Sequence, residues 1–417
     1  MITSSSFFCI FAIAMKNLHS LLFVCCAVIL AACSESAGLQ IVSPESMGFN
    51  SKKLAQADDV IYQSIENKEI PGAVLAVVKD DKIVYLKAYG NKSLVPTVEP
   101  MTIETVFDLA SVSKCVGTTL SFMQIVENGK VRITDNVKMY IPDFAPWVDP
   151  ETGEKIDITI RDLLTHSSGL EAYTNANTMV ERFGSPCPDS LMRHIATEIK
   201  RTFKPGTDFT YSCLNFITLQ NILQNVTGEK LCDYAKKNVF DVLGLKHTTY
   251  IPTGEILSLC APTEVQADGK PLLGTVHDPL ANICNGGNSG NAGVFSNAED
   301  LAVVCAAIMN GGAINGHRIL SPLTVKTMTT VPSENAPHIG RALGWDIYSD
   351  YSWHRGDIFD RARTICHTGY TGTELVIDLE NKIAVILLTN RVHPQDKNSV
   401  SRLRALVSNI VAGAVTE

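Results

Sequence analysis

Ser111-Val112-Ser113-Lys114 sets a hydroxyl and an amine three residues apart, and no other Ser-x-x-Lys occurs in the chain. Residues three apart on an α-helix are neighbours on one face, so the Lys114 amine can reach the Ser111 hydroxyl. The chemistry this predicts is nucleophilic attack by Ser111 with Lys114 as proton acceptor. That requires a neutral amine, its pKa pulled down from about 10.4 by burial or positive potential. Ser111 is expected at the start of its helix, where free N–H groups point at the charge developing on an attacked carbonyl. Phe107, Leu109 and Ala110 before the pair, and Val116, Leu120, Met123, Ile125 and Val126 after it, describe a helix entering a core.

Two later stretches supply what a Ser-Lys pair lacks. In Phe203 to Phe216, Tyr211 follows a Pro-Gly turn and precedes the amphipathic run from Ile217 to Val226. A phenol beside an ammonium group can serve as general base or acid. In Thr364 to Thr373, the run His367-Thr368-Gly369-Tyr370 stands directly before a strand at Glu374. Gly369 and Gly372 are expected to let a substrate backbone lie along a sheet edge, with the Tyr370 N–H as second oxyanion donor. Tyr173-Thr174-Asn175 and His338-Ile339-Gly340 share formal patterns with these stretches but lack the Pro-Gly approach and the following strand.

Together the three stretches resemble the signature of the serine β-lactamase and penicillin-binding-protein superfamily, in which S-x-x-K, Y-x-N and [K/H]-x-G line one cleft. The likeness is greatest to the class C β-lactamase-related branch, which includes D-Ala-D-Ala carboxypeptidases, D-aminopeptidases and esterases. It extends through Ile70-Pro-Gly-Ala73, Thr165-His-Ser-Ser-Gly-Leu170, Ala261-Pro-Thr-Glu264, Val276-His-Asp278 and Gly293-Val-Phe-Ser296. The resemblance implies Ser111 as the acylated nucleophile, Lys114 as proton acceptor, Tyr211 as proton shuttle to the leaving group and activator of the deacylating water, and His367-Thr368-Gly369 as the substrate-facing wall. No cofactor or metal is implied.

Two departures bear on the substrate. Where Y-x-N has asparagine this chain has Cys213, whose thiol is a poor hydrogen-bonding group. The resemblance gives that asparagine the task of binding the carbonyl of a substrate's amide side chain, so Cys213 argues against strong recognition of acylamino β-lactams; Asn215 is the nearest substitute. His367 replaces the lysine of K-T-G and weakens the positive charge that would hold a substrate carboxylate, because histidine is only partly protonated near neutral pH.

Other residues receive structural readings. His166 is expected to anchor a loop. His277 and Asp278 are two metal-ligand types without a third nearby. Ser296 with Glu299 reads as a capping box opening a helix from Asp300 to Met309.

The elements that must position these groups are legible as two hairpins. Gly72 to Val78, the turn Asp80-Asp81 and Ile83 to Tyr89 form one; Glu374 to Asp378 and Ile383 to Leu388, joined by residues 379–382, form the other. Ser399 to Val415 carries Leu403, Leu406, Val407, Ile410 and Val411 at helical spacing. The expected fold is therefore α/β: an antiparallel sheet built from both chain ends, flanked by helices, with a mainly helical insert from about 113 to about 335.

At 417 residues, 45% hydrophobic and 19% charged, the chain has the composition of a globular protein with a sizeable core. Lys16 and His19 precede an apolar run from Leu21 to Ala32, too short to span a membrane and of the length of a signal h-region, so translation starts at Met1 or Met15. Leu30-Ala31-Ala32-Cys33-Ser34 resembles the bacterial lipoprotein signal, which implies removal of residues 1–32, lipidation of Cys33, a tether over 33–45 and a catalytic domain over 46–417. Losing Lys16 takes the formal charge from −8 to −9, which disfavours nucleic acid as a partner. No later run reaches the roughly 18 to 20 apolar residues of a membrane span, so the membrane is met through the lipid alone. The remaining cysteines are single, without a C-x-x-C pair.

The expected function is that of an envelope serine hydrolase acting through an acyl-enzyme on amides or esters, with D-amino-acid cell-wall peptides first among substrates. An esterase or weak β-lactamase is the alternative within enzymes, and a catalytically silent cell-wall-binding lipoprotein the alternative outside them.

Overall fold

The computed structural model describes residues 38–416, so the expected signal, Cys33 and the first part of the tether, residues 33–37, lie outside the described residues. The first expected hairpin is β1 (Gly72–Lys79) and β2 (Lys82–Ser93), closed with Lys79 opposite Lys82 and with Asp80 at φ 55° in the turn. The C-terminal hairpin is β4 (Glu374–Asp378) and β5 (Ile383–Thr389), preceded by β3 (Thr364–Thr368). Its turn is held by the Asp378 carboxylate, which accepts from the Glu380 and Asn381 N–H groups at 3.0 Å each.

β5 pairs antiparallel with β1, Val385 opposite Val77, so both chain ends build one sheet in the order β2-β1-β5-β4-β3. Within this sheet, among the described residues, the parallel pairing is at the rim, where Gln40–Ile41 runs beside β2. Successive strand residues face opposite sides. Val74, Ala76, Val78, Leu375, Ile377, Ile386 and Leu388 face the helical region, while Ala73, Leu75, Val77, Val376, Val385 and Leu387 face α1 (Gln56–Glu66) and the C-terminal helix α5 (Ser401–Gly413). On α5 the buried stripe is Leu403, Val407 and Val411; Leu406 and Ile410 are half-buried at its margin.

The segment between the hairpins carries α2 (Leu120–Glu127), α3 (Cys213–Thr227) and α4 (Ala298–Met309). The last of these falls inside the expected insert, yet it packs on the sheet against β1 and β5. Its N-cap is Asn297, whose Oδ1 accepts from the Asp300 N–H at 2.9 Å. The expected Ser296–Glu299 box does not form, because Ser296 belongs to a short strand paired with Phe107–Asp108 and its hydroxyl meets that of Thr248. That pairing fixes the chain just upstream of Ser111.

Candidate active site

Ser111 is delivered by an irregular turn rather than by an ordinary helix start. Ala110 has φ 45°, a left-handed conformation that costs a non-glycine residue about 1–3 kcal/mol, and its N–H is held by Asp108 Oδ1 at 2.8 Å. A 3-10 turn over Ala110–Val112 leads into a π-helical turn over Lys114–Thr119 before α2 begins. π turns inside helices concentrate at functional sites. Here the result is a Lys114 Nζ to Ser111 Oγ distance of 2.9 Å, with Ser111 at the cleft and Lys114 fully buried.

Lys114 Nζ also donates to the Asn291 carbonyl at 2.7 Å and stands 3.6 Å from Cys213 Sγ and 5.1 Å from the centre of the Tyr211 ring. Burial is the largest influence on the amine and favours its neutral form. Cys213 and Tyr211 beside it, and Asp278 further off, favour the ammonium, and the net direction is upward. That direction runs against the expectation of a depressed lysine pKa.

Tyr211 precedes α3 and is held at both faces: its ring is 4.5 Å from that of His166 and stacks on Tyr351 at 5.4 Å, centre to centre. Its hydroxyl is buried without a hydrogen-bond partner among the described residues. Burial pushes the phenol pKa up, and Lys114 and Ser111 oppose it. His166, at φ 57° and fully buried, accepts from the Ser212 N–H at 3.0 Å through Nδ1, so it does anchor the loop carrying Tyr211.

His367, Thr368, Gly369 and Tyr370 form the facing wall, in a cleft of about 600 Å³ that also includes Ser111, Tyr211, Arg341 and Arg404. His367 is bonded from Nδ1 to the Thr368 carbonyl at 2.9 Å. Burial, then Arg341 and Lys114, push its pKa well below the ordinary histidine range. The expected partial positive charge is therefore absent, and the ring presents a neutral Nε2. Gly369 leaves room for the chain itself: a Cβ there would collide with the Leu109 carbonyl and the Thr373 hydroxyl, and one at Gly372 would collide with Thr389. The expected allowance for a substrate backbone is thus taken up by the wall's closure onto the turn before Ser111, where Thr371 and Thr373 donate to the carbonyls of Asp108 and Leu109. The Tyr370 N–H donates to no group among the described residues, which leaves it free for a bound carbonyl.

Cys213 opens α3 with its thiol toward Lys114, kept neutral because burial pushes its pKa up. Asn215 does not substitute for the missing amide. It is fully buried, its Oδ1 accepting from Ser168 at 2.6 Å and its Nδ2 3.2 Å from His166. Residues two apart on a helix point to different faces, so only Cys213 reaches the site. The formal decoys serve structure: Asn175 caps the helix Ala176–Phe183, and His338 meets Asp208 at the surface.

Two buried cations at the cleft escaped the motif reading. Arg341 is fully buried, bonded to Asp346 at 3.0 Å, with Nε and Nη2 unpartnered among the described residues and its guanidinium 5.6 Å from the centre of the Tyr211 ring. Arg404, on α5, holds the wall by donating to the carbonyls of Gly369 and Thr373 at 2.8 and 2.9 Å. A charged residue directly before the apolar run Ala342 to Trp345, and another at the buried helix spacing of Leu403 and Val407, were the available signals.

A serine and lysine in contact, a buried phenol and a closed strand wall line one cleft, an arrangement suited to a serine hydrolase. The profile of the Beta-lactamase family matches residues 57–409, and the chain belongs to that family. An Escherichia coli K12 protein provisionally named a D-alanyl-D-alanine carboxypeptidase is 32% identical over 398 residues, covering 88% of this chain and 90% of its own length. Among solved structures, EstCE1, described as a hydrolase with promiscuous acyltransferase activity, superposes with a TM-score of 0.68 at 24% identity over 87% of this chain and 99% of its own. An octameric penicillin-binding protein homologue from Pyrococcus abyssi gives 0.66 at 21% identity over 87% and 78%. At these identities the two structures speak for the fold.

Proposed function

We propose that this protein hydrolyses amides of D-amino-acid-containing cell-wall peptides through an acyl-enzyme on Ser111, at the cell envelope and held there by a lipid on Cys33. The observation that carries the chemistry is the 2.9 Å contact between Lys114 Nζ and Ser111 Oγ. Ser111 Oγ bonds to the acyl carbon as the amide C–N bond breaks, its proton passes to Lys114, and Tyr211 hands a proton to the departing amine. Water then attacks the ester: Tyr211, left without its proton, takes one from the water, the bond from the acyl carbon to Ser111 Oγ breaks as the new C–O bond forms, and Lys114 returns its proton to Oγ. The curated relative supports the peptide substrate, and the buried guanidinium of Arg341 supports an anionic substrate group in the cleft.

Ester hydrolysis is the second reading. It is favoured by Cys213 in place of an amide and by the neutral His367, which leave the cleft without two groups that would select an acylamino carboxylate.

Mass spectrometry after exposure to a fluorophosphonate or penicillin tests the nucleophile: the adduct is expected on Ser111 and absent from Ser111→Ala. An adduct elsewhere, or on both, overturns the assignment. Turnover of D-Ala-D-Ala peptides, p-nitrophenyl esters and nitrocefin by one sample then ranks the substrates, and labelled fatty acid recovered on Cys33 tests the anchor.

A further inference from the structure

His277 and Asp278 take no part in the proton transfers, yet their bonds run to both reacting residues. The His277 N–H donates to Asp108 Oδ2 at 2.7 Å, and the other oxygen of that carboxylate holds the Ala110 N–H at 2.8 Å, in the left-handed turn before Ser111. Asp108 is 2% exposed, so this carboxylate exchanges its partners with no solvent. One residue on, Asp278 Oδ1 accepts from Asn291 Nδ2 at 3.0 Å and from the Ala281 N–H at 2.9 Å, while Oδ2 accepts from the Tyr173 hydroxyl at 3.3 Å. Asn291 is fully buried, and its backbone carbonyl is the acceptor 2.7 Å from Lys114 Nζ. The His277 ring stacks on Tyr370 at 5.8 Å, which joins the strand wall to the same point.

We infer that His277-Asp278 is the positioning element of the site, one residue fixing the strained turn that presents Ser111 and the other fixing both the carbonyl and the negative charge that face Lys114. This rests on the reading of Ser111 and Lys114 as nucleophile and proton acceptor. Asp278 favours the ammonium form of Lys114. The other titratable or charged groups around that amine are Cys213 and Tyr211 beside it, and Arg341, His166 and His367 beyond the Tyr211 ring. Removing the Asp278 charge therefore frees the amine at lower pH, while removing its hydrogen bond loosens the carbonyl.

The test is the rate of Ser111 labelling by a fluorophosphonate as a function of pH. In that reaction Oγ bonds to phosphorus, fluoride leaves and the hydroxyl proton passes to Lys114. Asp278→Asn is expected to lower the high-pH plateau about tenfold or more and to move the acid limb about one pH unit lower. Asp278→Glu is expected to return the limb toward its native position, and Asp108→Asn to lower the plateau with the limb unmoved. A folded Asp278→Asn with native plateau and native limb overturns the inference. Should that variant fail to fold, Asn291→Ala, which keeps the carbonyl but frees it from Asp278, must lower the plateau or the inference falls. A native protein that does not label at Ser111 removes the underlying catalytic reading instead, and the positioning role with it.

Discussion

The sheet and the site it supports are built by opposite means. In β1, β4 and β5 every residue is in extended register, side chains alternate between two cores, and the only left-handed residues, Asp80 and Lys382, sit in exposed or half-buried hairpin turns. Around Ser111 the chain instead passes through a left-handed Ala110, a 3-10 turn and a π turn within ten residues, and a left-handed, fully buried His166 holds the opposite side. A regular element places side chains at fixed periods, whereas a nucleophile and its proton acceptor must be aimed at one point. The irregular conformations do the aiming, and hydrogen bonds hold them: the Asp108 carboxylate accepts from the Ala110 N–H, and Thr371 and Thr373, just before β4, donate to the carbonyls of Asp108 and Leu109.

If that division holds, substitutions in the two regions must fail differently. Ser111→Ala is expected to abolish acylation, and Lys114→Ala to lower it about 10²–10⁴-fold, both with native circular dichroism; an unfolded Lys114→Ala would show the lysine to be structural. In the sheet, Leu387→Ala is expected to cost about 2–5 kcal/mol of stability in denaturant titration, with unchanged labelling of the molecules that remain folded. A large loss of activity in that folded fraction would mean that the sheet also tunes the chemistry.

The proton inventory sharpens the comparison. Because Lys114 is pushed up, its acceptor form grows as pH rises, so acylation is expected to increase into the alkaline range, by about tenfold per pH unit below the controlling pKa. His367 is pushed well below the ordinary histidine range by burial, so no inflection from it is expected between about pH 6 and 7 where an ordinary histidine titrates. A rate profile flat across that range and at higher pH would show Lys114 to be deprotonated at rest. The smallest expected effect is at Cys213→Asn: a several-fold gain in labelling by acylamino β-lactams, read by mass spectrometry, with p-nitrophenyl ester turnover little changed. No gain would mean that the position does not select the substrate.

Much of this was legible in the residues. Both hairpins, their pairing into one sheet, the C-terminal helix and the three stretches that meet at the cleft follow from β-branched runs, turn chemistry and the spacing of Ser111 and Lys114. What failed did so for identifiable reasons. The helix start at Ser296 was displaced by a strand pairing with residues nearly two hundred positions away. Asn215 was spent on His166 and Ser168, and Gly369 on Leu109, partners that no local pattern names.

The sequence by itself determined which groups can react and which elements carry them, because reach along a helix and alternation along a strand are set by neighbours in the chain. Tertiary structure decided the surroundings of those groups. Lys114 answers to Cys213 and Asn291, His367 to Arg341, and Ser111 to a carboxylate held by His277. Charge and burial act through space, and the residues that impose them come from segments far apart in the chain that only the fold brings together.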